Sequence, residues 1–172
     1  MLREPARSAL LFRGRWVRVD EEEWPEIGTW EVFRPQDAAA VLPVTPDGDV
    51  VLVRQFRAGA RRPIEEIPAG LLDIEGEDPA TCAARELFEE TGFRPVSLEA
   101  LAAIHTSPGS SSELVHLFWS TIGAGPEREP ETGIEVVRRP FDGAVADARA
   151  GRVDDAKTAL ALLLADARMA AG

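Results

Sequence analysis

A chain of 172 residues with 45% apolar side chains is long enough for one domain with a full core and at most a small appendage. Its formal net charge of −11 argues against nucleic acid or an anionic membrane as the main partner, because such a surface repels polyanions; small phosphate compounds remain open where a cation bridges the two negative partners. The single cysteine, Cys82, excludes an intrachain disulfide and is expected to be a small packing residue in a protein of the reducing cytoplasm. The longest apolar run, 159–165, is far too short to span a bilayer, and the N-terminus lacks a signal-peptide core.

In chain order, residues 9–12, 15–19 and 29–33 read as short strands, separated by a turn at Arg13-Gly14 and by a polar connection, EEEWPEIG. A meander of this size cannot bury both faces of itself, so it must pack on the rest of the chain or on a second copy. Residues 38–46 and 49–57 flank Asp47-Gly48, a strong hairpin signal. In the second of these strands Val51, Val53, Gln55 and Arg57 share one face, and Leu52, Arg54 and Phe56 the other. Further strands are predicted at 98–105 and 114–121, on either side of a loop of small residues, TSPGSSSE. His105 and His116 flank that loop and are expected to be satisfied strand residues, since the chemistry considered below can use a carboxylate base. Residues 122–133 read as a mobile Gly/Pro/acid-rich connection, 134–138 as a strand, 141–150 as a short helix, and the stretch after Asp154-Asp155 as a capped terminal helix.

The stretch richest in chemistry is GLLDIEGEDPATCAARELFEETGF, 70–93. Asp78 before Pro79 is a helix start and Gly92 a left-handed stop. At about 100° per residue, Glu86, Glu89 and Glu90 share one face, while Ala80, Ala83, Ala84, Leu87 and Phe88 run round to the other. Carboxylates at this spacing repel one another, so the run is either a solvated surface face or a site for a positive partner. All-oxygen ligands favour a hard divalent cation, Mg²⁺ or Mn²⁺. Arg85 can reach Glu89 one turn on and orient it.

Arg85-Glu86-Leu87-Phe88-Glu89-Glu90-Thr91-Gly92-Phe93, with Glu77 before it, resembles the Nudix box, R-E-U-x-E-E-x-G-U with U apolar. One departure is that six residues separate Gly70 from Glu77, one more than the family pattern has. Other segments resemble ADP-ribose hydrolases of that family. Gln55-Phe56-Arg57 is similar to a Q-[FY]-R segment, which implies that Arg57 reaches the substrate diphosphate. Glu66-Ile67-Pro68-Ala69-Gly70 is similar to E-[LIF]-P-A-G, which implies that Glu66 lies near the substrate and that the Ala69 carbonyl, left exposed where pairing stops, is a metal ligand. The loop from Ser107 to Glu113 resembles S-P-G-x-S-x-E, although Ser110 stands where an aromatic residue is common, and it implies that Glu113 activates or positions water. Glu89 is the rival base. The settings of Trp16 and Trp30 are similar to strands whose aromatics, one from each subunit of a swapped dimer, sandwich the adenine. Asp155-Ala156-Lys157-Thr158 matches a D-A-K-T form near the end of family members.

The resemblance implies an α/β fold, a Nudix α/β/α sandwich with a mixed sheet, with residues 1–37 as a small N-terminal antiparallel β subdomain for dimerisation and 38–172 as the hydrolase domain. It implies metal-dependent hydrolysis of ADP-ribose to AMP and ribose 5-phosphate by a cytoplasmic homodimer, with Glu86, Glu89, Glu90 and Ala69 as metal ligands and Glu113, Glu89 and Arg85 as catalytic residues. Another nucleoside diphosphate sugar such as GDP-mannose is the alternative substrate. A non-catalytic nucleotide sensor is the alternative class, and the retained carboxylates of the box argue against it.

Overall fold

The structure, a computed structural model, describes residues 4–15 and 17–171. The described residues form two sheets and three helices. The small sheet is antiparallel, with β1 (Arg7–Arg13), β2 (Arg18–Trp24) and β3 (Gly28–Phe33) in the order β1-β2-β3. The large sheet has β4 (Ala38–Val44), β5 (Asp49–Arg57), β9 (Leu114–Thr121), β8 (Glu99–His105) and β10 (Glu135–Pro140) in the order β10-β5-β4-β9-β8, with β6 (Arg62–Glu66) on β5 and β7 (Ala69–Leu71) on β4. Only β4 and β9 run parallel, so the sheet is mixed.

Helix α1 (Pro79–Thr91) covers one face of the large sheet, and α2 (Phe141–Arg149) and α3 (Ala156–Met169) cover the other. Strand alternation divides the core accordingly. Ala39, Val41, Val51 and Phe118 pack with Cys82, Ala83 and Leu87 of α1. Their neighbours Ala40, Leu42, Val50, Leu52 and Leu117 pack with α2 and α3. The fold is the expected α/β/α sandwich with a small antiparallel sheet beside it. Among the described residues no helix is long and apolar enough to cross a membrane.

Two stretches depart from the sequence reading. The polar EEEW run is strand, not connection, because β2 is the middle strand of its sheet and its inward acids are neutralised in place. Asp20 and Glu22 are buried, with Arg18 and Arg34 as ion-pair partners and the Trp24 indole N–H donating to Glu22 at 3.2 Å. Strand β6 was not foreseen; Ile64 and Glu66 alternate inward, but Pro63 and the charges around it hide the period.

The β4–β5 hairpin forms at Asp47-Gly48, with Gly48 at φ +83. The two strands pair only at Val44↔Val50 before they part, β4 turning to β9 and β7, and β5 to β10 and β6. That fork opens the end of the sheet where β6 and β7 cross between them.

Helix α1 starts and stops as predicted. Asp78 accepts from the amides of Ala80 (2.9 Å) and Thr81 (3.2 Å) and from the Thr81 hydroxyl (2.6 Å), Pro79 takes the first position, and Gly92 closes the helix at φ +77. Replacing Asp78 with Ala should lower unfolding free energy by about 1–2 kcal/mol. A urea titration reads this as a lower midpoint at unchanged slope; an unshifted midpoint would show that the cap is not needed to hold the helix.

Candidate active site

The acidic face of α1 is assembled around one cation. Arg85 donates from Nε and Nη2 to the two oxygens of Glu77, each at 2.9 Å. Its Nη1 donates to Glu86 at 2.5 Å and to Glu89 at 3.2 Å. One guanidinium therefore serves three carboxylates, and its pKa is raised, chiefly by the hydrogen bonds to Glu77. Glu77 is in turn held below its ordinary value by Arg85. The additional residue before Asp78 is taken up in the 72–78 loop, where Gly76 sits at φ +80 and the Glu77 amide donates to the Ile74 carbonyl at 3.1 Å. It leaves Glu77 within the Arg85 fork.

The three box glutamates do not share one solvated face. Glu90 is only 6% exposed and lies on the packing side, where the Ala69 amide donates to it at 3.0 Å and Gln55 Nε2 approaches at 3.5 Å. Burial pushes its carboxyl up to about 7, with Glu86 and Glu66 adding to the rise and the Ala69 N–H and Arg57 opposing it. Glu86 is half-buried and also raised, first by burial and then by Glu89 and Glu131, against the pull of Arg85. The Glu86 carboxylate lies directly over Gly70, so a β-carbon at 70 would collide with it. A side chain at 70 would therefore displace the Glu86 carboxylate from its place over β7. Phe88, read as a packing residue, instead lies under the guanidinium of Arg94, 3.8 Å from the ring centroid. Cys82 is fully buried, as expected, and its thiol is pushed up to about 12, mainly by burial.

Beside this face, Arg57 Nε donates to Glu66 Oε1 at 2.5 Å, and Lys157 donates to Glu66 Oε2. Glu66 is 2% exposed, and Glu65, next in sequence, points to the opposite face of the sheet, where Arg54 and Arg139 hold it. Ala69 lies in β7 opposite Ala40, but the bonds to β4 fall on its neighbours, with the Val41 amide donating to the Pro68 carbonyl at 3.0 Å, while its own N–H turns to Glu90, so its carbonyl is left outside the β4 ladder.

Glu113 is not gathered with the box. Its carboxylate accepts from the Thr106 hydroxyl, its carbonyl lies 2.9 Å from His105 Nδ1 and its amide donates to Ser111 Oγ, all within its own loop region. That loop is tied to the small sheet, with the Phe33 amide donating to the Ser110 carbonyl (2.8 Å) and the Ser112 amide to the Phe33 carbonyl (3.1 Å). Between them opens a cleft of about 750 Å³, lined by Trp24, Trp30, Glu22, Arg34 and Pro108. Trp30 is 47% exposed in it. Trp16 lies outside the described residues.

Sequence reasoning missed Glu131. The 122–133 connection is bonded to the end of α1: the Glu127 amide donates to the Gly92 carbonyl at 2.8 Å and the Glu131 amide to the Glu89 carbonyl at 3.2 Å. No pattern of apolar residues marks this docking, so only the fold reveals it. A further cavity of about 370 Å³ lies on the other face of the sheet, but its arginines, Arg54, Arg62, Arg139 and Arg152, are each already paired with a carboxylate.

Among the described residues no three acidic, histidine or cysteine side chains form a closed metal cage as they stand. The donor chemistry nevertheless fits a hard divalent cation: several carboxylates of one helix, two with their ionised form disfavoured, lie beside the short strand that carries Ala69.

The raised pKa of Glu90 gives a stability dependence of definite sign. Its protonated form is favoured in the native state, so its contribution is fully present below the ordinary carboxyl pKa and is lost as pH rises through about 7. In metal-free protein, Glu90→Gln should therefore gain stability over the parent as pH goes from 5 to 8, with the two alike below pH 4.5. Parallel melting curves across that range would refute it.

A family model for the NUDIX domain matches residues 34–167. The ADP-ribose pyrophosphatase of Bacillus subtilis (strain 168) is 39% identical over 160 residues, covering 88% of this chain and 86% of that protein. The methanol dehydrogenase activator of Bacillus methanolicus is 34% identical over 164 residues, covering 91% and 88%. The GDP-mannose pyrophosphatase of Cronobacter sakazakii (strain ATCC BAA-894) is 38% identical over 147 residues, covering 77% and 74%. With the match spanning the box helix, the large sheet and nearly all of α3, this chain belongs to the NUDIX domain family.

Proposed function

We propose that this chain, a Nudix pyrophosphohydrolase, hydrolyses the diphosphate of ADP-ribose to AMP and ribose 5-phosphate in the cytoplasm. The observation that carries the reading is the placement of an arginine beside the acidic helix: Arg57 donates to the buried Glu66 at 2.5 Å from the same face of β5 on which Gln55 approaches Glu90 at 3.5 Å. An anion-binding fork beside a set of hard oxygen ligands suits a metal-diphosphate substrate. The likeness to the Bacillus subtilis ADP-ribose pyrophosphatase supports the same choice.

In this reading Glu86, Glu89, Glu90 and the Ala69 carbonyl would hold Mg²⁺ or Mn²⁺, which supplies Lewis acidity at the diphosphate. Arg57 turns from Glu66 to the phosphate oxygens, and Arg85 fixes the rotamers of Glu86 and Glu89. Water attacks one phosphorus, the bridging P–O bond breaks, and a carboxylate accepts the water's proton. Glu113 and Glu89 are the acids proposed for that step from the sequence. The contact of the Glu131 amide with Glu89, together with the charge Glu131 exerts on Glu86, favours Glu131 as a third. Trp30, with Trp16, stacks the base. GDP-mannose is the second substrate reading, supported by the Cronobacter sakazakii relative and by the polar groups Glu22 and Arg34 in the Trp30 cleft.

Glu86→Gln should abolish turnover of ADP-ribose with Mg²⁺ while the protein still melts cooperatively, and full activity would refute the ligand assignment. Single-turnover rates of Glu113→Gln, Glu89→Gln and Glu131→Gln locate the base, since only its loss should cost orders of magnitude at retained substrate binding. A parent protein that cleaves no nucleoside diphosphate sugar would end the proposal.

Residues 1–37 are proposed to dimerise two copies. Leu10, Leu11, Phe12, Val17 and Ile27 are all exposed on or beside the small sheet, an apolar surface that a second copy would cover. Light scattering should give twice the chain mass, and a shortened chain starting at residue 38 should be monomeric with weakened substrate affinity. An active full-length monomer would refute it.

A further inference from the structure

Glu66 is a buried carboxylate with a cation on each oxygen, and only one of those cations is needed at the substrate. Arg57, with 43% of its side chain exposed, faces outward from Oε1. Lys157, with 16% exposed, closes Oε2 and also donates to Asp155 at 2.9 Å. Asp155 caps α3 through the Thr158 amide (2.9 Å), and Thr158 Oγ1 accepts from the Ile67 amide at 2.8 Å, so the start of α3 is stitched to the residue that follows Glu66. The lysine is thus held in place from both sides.

We propose that Lys157 is a positioning residue that keeps Arg57 available to the substrate diphosphate. A carboxylate as buried as Glu66 must be satisfied by cations. With Lys157 on one oxygen, Glu66 aims Arg57 while leaving much of its charge to act outward. Without Lys157, both oxygens turn to the guanidinium in a bidentate fork, the tightest arrangement open to it, and Arg57 is neutralised from within. The inference rests on the reading of Arg57 as a diphosphate ligand and adds to it the group that regulates its charge.

The test uses inorganic pyrophosphate with Mg²⁺ as the probe, its binding followed by calorimetry, and KM and kcat for ADP-ribose. Lys157→Met should weaken pyrophosphate binding and raise KM by about tenfold, the order of one charge-assisted hydrogen bond, with kcat within about twofold of the parent. Lys157→Arg should restore both. In the Glu66→Gln background, where no buried charge needs a counterion, Lys157→Met should change neither. A lysine that only supports the start of α3 would lower the melting temperature equally in both backgrounds and leave the affinities alone. That result, or an affinity loss that persists with Gln at 66, overturns the proposal. Should Lys157→Met fail to fold, Lys157→Gln is read in the same way. If the parent hydrolyses no diphosphate substrate while pyrophosphate affinity follows the stated pattern, the proposed function falls and the role of Lys157 stands.

Discussion

A single guanidinium makes the acidic end of this molecule possible. Glu77, Glu86 and Glu89 would repel one another if left alone on a helix and the loop before it, and Arg85 binds all three. Because the fork also points Nη2 toward the Leu71 carbonyl at 3.4 Å, the same residue fixes the helix against the strand that precedes it. Helix placement and charge balance are therefore one problem here. A lysine could balance charge, but it lacks the planar fork that reaches Glu77 through two nitrogens while serving the helix through a third.

The remainder of the site follows from how the large sheet opens. Since β4 and β5 part after one pair, β6 and β7 are threaded across the gap, and strand alternation sends adjacent acids to different jobs. Glu65 is spent in an arginine network under α2, whereas Glu66 faces the acidic helix. Glu65 and Glu66 are thus neutralised by different arginines, Arg54 and Arg139 for the one and Arg57 for the other, and Lys157 at the start of α3 is the cation that reaches Glu66 from the opposite helix layer.

Much of this was legible from the chain. The box helix, its Asp78 cap and Gly92 stop, the Asp47-Gly48 turn and the faces of β5 all obey local rules of capping, turn chemistry and period. What escaped was decided by contacts distant in sequence. Strand β2 is polar because Arg34, from beyond β3, neutralises its buried acids. Glu90 looked like one of three equivalent surface acids, yet β7 lies over it and β5 beside it. Glu131 sits in a stretch with every mark of a linker, and Lys157 in a motif whose partner is 91 residues away. Local pattern reports the element; it is silent on which face of an acidic helix another strand will claim.

Gly92 answers two unrelated demands at once. Its φ of +77 ends α1, and the space where a side chain would begin is occupied by the carbonyl of Arg128. Asparagine or aspartate, the usual tolerated substitutes in the left-handed region, would satisfy the first demand and violate the second. The position is closed to the ordinary drift open to other helix stops, because a side chain there would press on the main chain of the 126–131 segment, whose Glu127 and Glu131 amides are bonded to the end of α1.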